Sequence, residues 1–123
     1  MKHNKILIVD DEQRYADMLA RRLKLRGLVC KVCYDGRTAI DLHAGESFAM
    51  VILDLRLPDL YGTEVLTQMK QCRPATAVVI LTGHGTDQDR QKCMDRGAHA
   101  FLNKPVDIDR LVAIMSQIRE NTA

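Results

Sequence analysis

Apolar residues fall into five short runs separated by stretches of helical period: Ile6 to Val9, Val29 to Cys33, Ala49 to Leu53, Ala77 to Leu81 and Ala100 to Leu102. The first, third and fourth are apolar almost throughout instead of alternating with polar positions. Strands read this way when both of their faces are covered, as in a parallel sheet flanked by helices. Tyr15, Leu19 and Leu23 recur at four-residue spacing and Gly27 follows, which predicts a first helix ending on a left-handed glycine. Further helices are predicted near Arg37 to Ala44, Gly62 to Gln71, Thr86 to Arg96 and Asp107 to Arg119. The last carries Ile108, Leu111, Val112, Met115 and Ile118 as its packing stripe. The chain therefore reads as a five-fold βα alternation, an α/β fold with helices wound about both faces of a five-stranded parallel sheet.

In such sheets, ligands bind at the carboxyl ends of the strands. Asp10 and Asp11 stand just beyond the first run, Asp54 beyond the third, Thr82 beyond the fourth, and Lys104 shortly after the fifth. Any one of them is equally well a cap or turn residue. Brought to one edge they form a set: three crowded carboxylates repel one another and call for a cation. Oxygen ligands suit Mg²⁺, which binds beside phosphate oxygens. A cation and Lys104 would neutralise a phosphoryl group while a carboxylate acts as nucleophile and Thr82 donates a hydroxyl. The outline is that of a phosphoryl-transfer site.

At 123 residues the chain is expected to form one domain over residues 1–123. Eighteen Lys and Arg against sixteen Asp and Glu give a net charge of +2, too mild to point to nucleic acid or membrane as a partner. No apolar run approaches the roughly 20 residues of a spanning helix, and no signal-peptide pattern opens the chain, so a cytoplasmic protein is expected. Cys30 and Cys33 are three apart in a strand and so face opposite ways; with Cys72 and Cys93 they are read as reduced thiols. The basic group Arg21, Arg22, Lys24 and Arg26 suits the negative end of the first helix.

The motifs Ile6-Leu-Ile-Val-Asp-Asp-Glu12, Val51-Ile-Leu-Asp-Leu-Arg-Leu-Pro58 with Gly62, Leu81-Thr-Gly83 and Phe101-Leu-Asn-Lys-Pro105 give the chain its resemblance to a known family. Over nearly its whole length it resembles the receiver domains of bacterial response regulators. That resemblance implies a doubly wound (βα)5 fold with flavodoxin-like strand order 2-1-3-4-5. It implies Asp54 as phosphoacceptor, Asp11 as a direct Mg²⁺ ligand, Asp10 as a metal-site carboxylate acting largely through water, and the Arg56 backbone carbonyl as a further ligand. Thr82 and Lys104 become the phosphoryl-binding pair, Phe101 the aromatic switch that follows Thr82, and Lys104-Pro105 a cis peptide. A sensor histidine kinase or phosphotransfer protein is the implied donor. A phosphorylation-dependent homodimer through the fourth helix, fifth strand and fifth helix is an expected output, with no direct binding of nucleic acid. Tyr61 departs from the family, which often has Asp before the glycine corresponding to Gly62, and Leu57 stands where Met is frequent.

Three rivals compete. A phosphatase of the haloacid dehalogenase type needs a second Asp two positions after the nucleophile, where this chain has Arg56. A flavin or nucleotide module lacks its Gly-rich loop here, since Asp10 and Asp11 follow the first strand. A phosphorylation-independent interaction module would not need the full acceptor set, which is present. The expected role is therefore a regulatory phosphoacceptor, catalysing only its own phosphorylation and dephosphorylation.

Overall fold

The structure, a computed structural model, describes residues 4–122; Met1, Lys2, His3 and Ala123 lie outside it. Five strands and five helices alternate: β1 (Lys5–Val9), α1 (Gln13–Leu25), β2 (Val29–Cys33), α2 (Gly36–Gly45), β3 (Met50–Leu53), α3 (Gly62–Cys72), β4 (Ala77–Thr82), α4 (Asp87–Asp95), β5 (Ala100–Asn103) and α5 (Ile108–Thr122). The strands form one parallel sheet in the order β2-β1-β3-β4-β5. This is the expected doubly wound fold. Among the described residues no helix is long and apolar enough to cross a membrane.

Side chains of alternate strand residues enter separate cores, because successive Cβ atoms point to opposite faces. Ile6, Ile8, Met50, Ile52, Val79 and Leu81 pack with Leu19 and Leu23 of α1 and Leu111 and Met115 of α5. On the other face Leu7, Val9, Val51, Leu53, Val78 and Ile80 meet Val65, Leu66 and Met69 of α3 and Cys93 of α4. The same alternation sends Cys30 into the first core and Cys33 into the second, so the two thiols do not pair. Burial pushes them up, to about 11 and about 12, and they stay protonated. Truncating a fully buried strand residue such as Leu53 to alanine removes roughly 2–5 kcal/mol.

The helices differ in how firmly they are held. Four residues of α1 are buried, whereas α4 buries only Cys93 and depends on its capping box, in which Thr86 and Asp89 satisfy each other's backbone N–H. Gly27 and Gly97 take the left-handed conformation after α1 and α4, as the stop predicted for α1 requires.

At the amino ends of the strands, α2 is fastened to the α3–β4 connection. Arg73 donates to the carbonyls of His43 and Ala44 at the end of α2, and the buried His43 shares a 3.0 Å hydrogen bond with Thr76. Lys70 donates to the carbonyls of Pro74 and Thr76 close by. Burial first, then the charges of Arg73 and Lys70, hold the His43 pKa below its ordinary 6.5. A lowered pKa means that the unfolded chain takes up the proton first. The stability from neutral His43 is therefore complete above about pH 6.5 and is lost as pH falls through the folded-state value. We expect the urea midpoint to fall between pH 7 and pH 5, and His43→Gln to flatten that part of the profile. Parallel profiles for the two proteins would remove His43 as the cause.

Candidate functional site

Register brings the chemistry to one layer. Val9 lies level with Leu53 and Leu53 with Ile80, and the ladder continues past the strands: Asp10 N–H donates to Cys33 O, Asp54 N–H to Val9 O, and Lys104 N–H to Thr82 O. Asp10, Asp54 and Thr82 are thus backbone-anchored and buried at the carboxyl edge, only 3%, 5% and 0% exposed. Each is a polar group out of water that must find a partner.

For the two carboxylates the partner is Lys104. Its Nζ lies 2.8 Å from Asp10 Oδ2, 3.1 Å from Asp54 Oδ2 and 2.7 Å from Glu12 Oε1. Burial alone would lower the Lys104 pKa, but hydrogen bonds and charge from these carboxylates outweigh it and hold the pKa well above the ordinary value. Asp10 moves upward because burial outweighs the hydrogen bonds from Lys104 and the Glu12 N–H. Asp54 is oriented from both sides: Oδ1 accepts the Leu55 N–H at 2.7 Å and Oδ2 faces the ammonium.

Carboxylate oxygens of Asp10, Glu12 and Asp54 lie within 4.8 Å of one another. Three carboxylates against one ammonium leave an excess of negative charge, and an all-oxygen donor set of this kind fits a hard divalent cation such as Mg²⁺. Asp11 is exposed on the turn between β1 and α1 and is not among the three. Glu12, absent from the residues expected in the site, takes a place in it. The third acid of the Asp10-Asp11-Glu12 run was the signal that could have found it. Arg56 lies two residues past Asp54 in an antiparallel bridge with Tyr61, on the loop expected to supply its carbonyl.

That loop is clamped at three points. Gly62 donates to Leu55 O at 2.7 Å, and a Cβ there would stand 2.5 Å from Asp54 O and 2.7 Å from Leu55 Cα, so only glycine fits. Asp59 accepts from Gly36 N–H and Arg37 N–H at the start of α2, which, ahead of its other contacts, lowers its pKa. The Tyr61 hydroxyl reaches 3.4 Å to Asp89 of α4.

On the β4–β5 side, His84 N–H donates to Thr82 Oγ1 at 3.3 Å. Phe101 is buried, and a Cβ on Gly85 would meet its Cζ at 2.5 Å and Thr82 Cγ2 at 2.9 Å. The ring is therefore in the inward position, filling the space that Gly85 leaves. Arg90 of α4 donates to Phe101 O at 3.4 Å. The Lys104-Pro105 peptide is cis, as expected.

Comparison with known proteins agrees with the fold. The model of the response regulator receiver domain matches residues 6–116. The uncharacterized transcriptional regulatory protein YkoG of Bacillus subtilis (strain 168) is 33% identical over 122 residues, which cover 98% of this chain and 54% of YkoG. The chain spans about half the length of the curated relatives it matches. Among solved structures, a receiver domain protein (CheY-like) of Methanospirillum hungatei JF-1 superimposes with a TM-score of 0.91 at 27% identity, with 98% of each chain covered. The beryllofluoride-activated NtrC4 receiver domain dimer gives 0.90 at 27% identity, covering 98% of this chain and 99% of that one.

Gly62 supports the Asp54 strand end at backbone distance, where no flexible side chain can yield. Gly62→Ala is expected to cost about 1–3 kcal/mol through overpacking and to shift the amide signals of Asp54 and Leu55. An unchanged denaturation midpoint together with unchanged Asp54 and Leu55 signals would show that the loop is not clamped here.

Proposed function

The chain belongs to the response regulator receiver domain family, and from that premise we propose that Asp54 is the phosphoacceptor of a Mg²⁺-dependent switch. The observation that carries the proposal is the placing of Lys104 Nζ within 3.1 Å of Asp54 and 2.8 Å of Asp10, in a buried layer shared with Thr82. An ammonium held charged beside a carboxylate is positioned to receive a phosphoryl group transferred to that carboxylate.

The acceptor oxygen of Asp54 attacks the phosphorus of a phosphohistidine or an acyl phosphate. A P–O bond to Asp54 forms, and the bond to the donor nitrogen or oxygen breaks with its electron pair leaving on the donor. Leu55 N–H keeps the carboxylate from rotating. Lys104 and the Thr82 hydroxyl supply hydrogen bonds to phosphoryl oxygens. Mg²⁺, when bound by Asp10, Asp11, Asp54 and the Arg56 carbonyl, supplies the positive charge that this transfer needs. Glu12 is a further carboxylate within reach of that site. Arg56, in the position where a dehalogenase-type phosphatase carries its second Asp, offers no general acid at neutral pH, which favours a stored aspartyl phosphate over a turnover enzyme.

A sensor histidine kinase or phosphotransfer protein is the proposed donor, and the cytoplasm the proposed location. The output is proposed to run from Thr82 through Phe101 to α4, β5 and α5. Five of its charged residues already have partners within the chain: Asp89 in the α4 cap, Arg90 on Phe101 O, Asp95 with Gln91, Arg96 with Thr67, and Asp109 with Arg26. Self-association would exchange these contacts for ones between copies, as in a symmetric dimer. The dimeric state of the activated NtrC4 receiver favours this reading. Direct contact with DNA is not part of the role proposed for this domain.

With acetyl phosphate and Mg²⁺, intact-mass measurement is expected to show a single phosphoryl adduct. Chelation or Asp54→Asn should abolish it; stoichiometric labelling of Asp54→Asn would falsify the acceptor assignment. For the output, sedimentation with beryllofluoride and Mg²⁺ is expected to show a larger species in the unmodified protein and a weaker response in Thr82→Ala. No change in mass on adding beryllofluoride rules out self-association, and equal responses rule out the Thr82 coupling.

A further inference from the structure

Tyr15 packs against the α1-side core, as the stripe predicts, and its ring also lies under the site. Lys104 Nζ stands 4.9 Å from the ring centroid. The hydroxyl is buried against the Val106 backbone without a well-aligned hydrogen bond. Tyr15, in the first turn of α1, therefore contacts the β5–α5 connection on both sides of Pro105.

The other partners of Lys104 change during the proposed reaction. Asp54 becomes an acyl phosphate, Asp10 is assigned to the metal site, and the Glu12 side chain is 61% exposed, where an ion pair has little hold. The aromatic ring is neutral, with burial raising its hydroxyl pKa above the ordinary value, and is consumed by no step. Its quadrupole attracts an ammonium without neutralising it, so the full charge remains available to phosphoryl oxygens.

We propose that Tyr15 is a positioning residue for the phosphoacceptor reaction, holding the Lys104 ammonium over its ring face while the carboxylates around it are redirected. The role rests on the assignment of Asp54 as acceptor, and it differs from core packing in depending on the electrons of the ring as well as its volume. Partial fluorination of a phenylalanine ring keeps the shape closely and drains the face of negative potential.

The test uses the full chain with Tyr15→Phe, Tyr15→Leu and a series of increasingly fluorinated phenylalanines at position 15. Two readouts are taken: the rate of Asp54 labelling by acetyl phosphate, and the chemical shift of the Lys104 ε-methylene protons in metal-free protein. Tyr15→Phe is expected to label near the unmodified rate and to keep the upfield ring-current shift. Tyr15→Leu should lose that shift and label roughly three- to tenfold more slowly, the range set by a partly desolvated cation–π contact. The fluorinated series should slow stepwise. If Tyr15→Leu fails to fold, the fluorinated series decides alone. A flat series, a Phe variant as slow as Leu, or an unmodified protein without the upfield shift would each overturn the proposal. Absence of labelling in the unmodified protein would instead remove the acceptor assignment, leaving the ring-current comparison to judge the contact.

Discussion

Crowded negative charge at the carboxyl edge of the sheet is the constraint around which this molecule is arranged. Asp10 and Asp54 are almost without access to solvent, and their strands lie side by side in the sheet. Carboxylates so placed destabilise the fold unless a cation stands between them. Lys104 fills that position from β5, two strands away from β3, so the outermost α-covered strand is tied electrostatically to the middle of the sheet. The same arrangement that makes the folded state tolerable leaves three carboxylates against one ammonium at the sheet edge.

Support for the site comes from backbone before side chains. The ladder hydrogen bonds of Asp10, Asp54 and Lys104 extend the sheet by one position, which fixes the Cα of each group to a rigid element. The loop after β3 would otherwise be the weak part. It is fastened instead by Gly62 against Leu55, by Asp59 across the start of α2, and by Tyr61 toward α4. Two neighbouring helices thereby register the position of a loop that also borders Asp54.

What was legible in the sequence followed from local pattern. β1, β3 and β4 showed as continuous apolar runs because both faces are buried, and Asp10, Asp54 and Thr82 stood out as polar residues directly after them. β2 was fainter, since an edge strand leaves Val29 and Lys31 exposed. α4 has almost no apolar stripe, and its capping box at Thr86 and Asp89 became visible only in the structure. Glu12 showed only as the third acid of a run and Tyr15 only as a stripe residue of α1, and the His43–Thr76 pair gave no signal; none of these patterns pointed to the partner. Their roles depend on residues 30 or more positions away, Lys104 for the first two and Thr76 for His43, and no local period encodes such a distance. The order of the strands and the cis peptide came from family resemblance, and both are present.

The light anchoring of α4 bears on how such a domain diversifies. A helix of nine residues that commits Cys93 to the core and Asp89 to its cap leaves most of the others little constrained by packing. Substitutions there change what the surface presents without disturbing the strands that carry Asp10 and Asp54, so that surface can drift while the buried layer stays put. The firmly packed α1 does not have that freedom on its inner face, where Leu19 and Leu23 are locked into the sheet. Duplicated copies of a gene for this fold can therefore acquire separate listeners before either loses the ability to be switched.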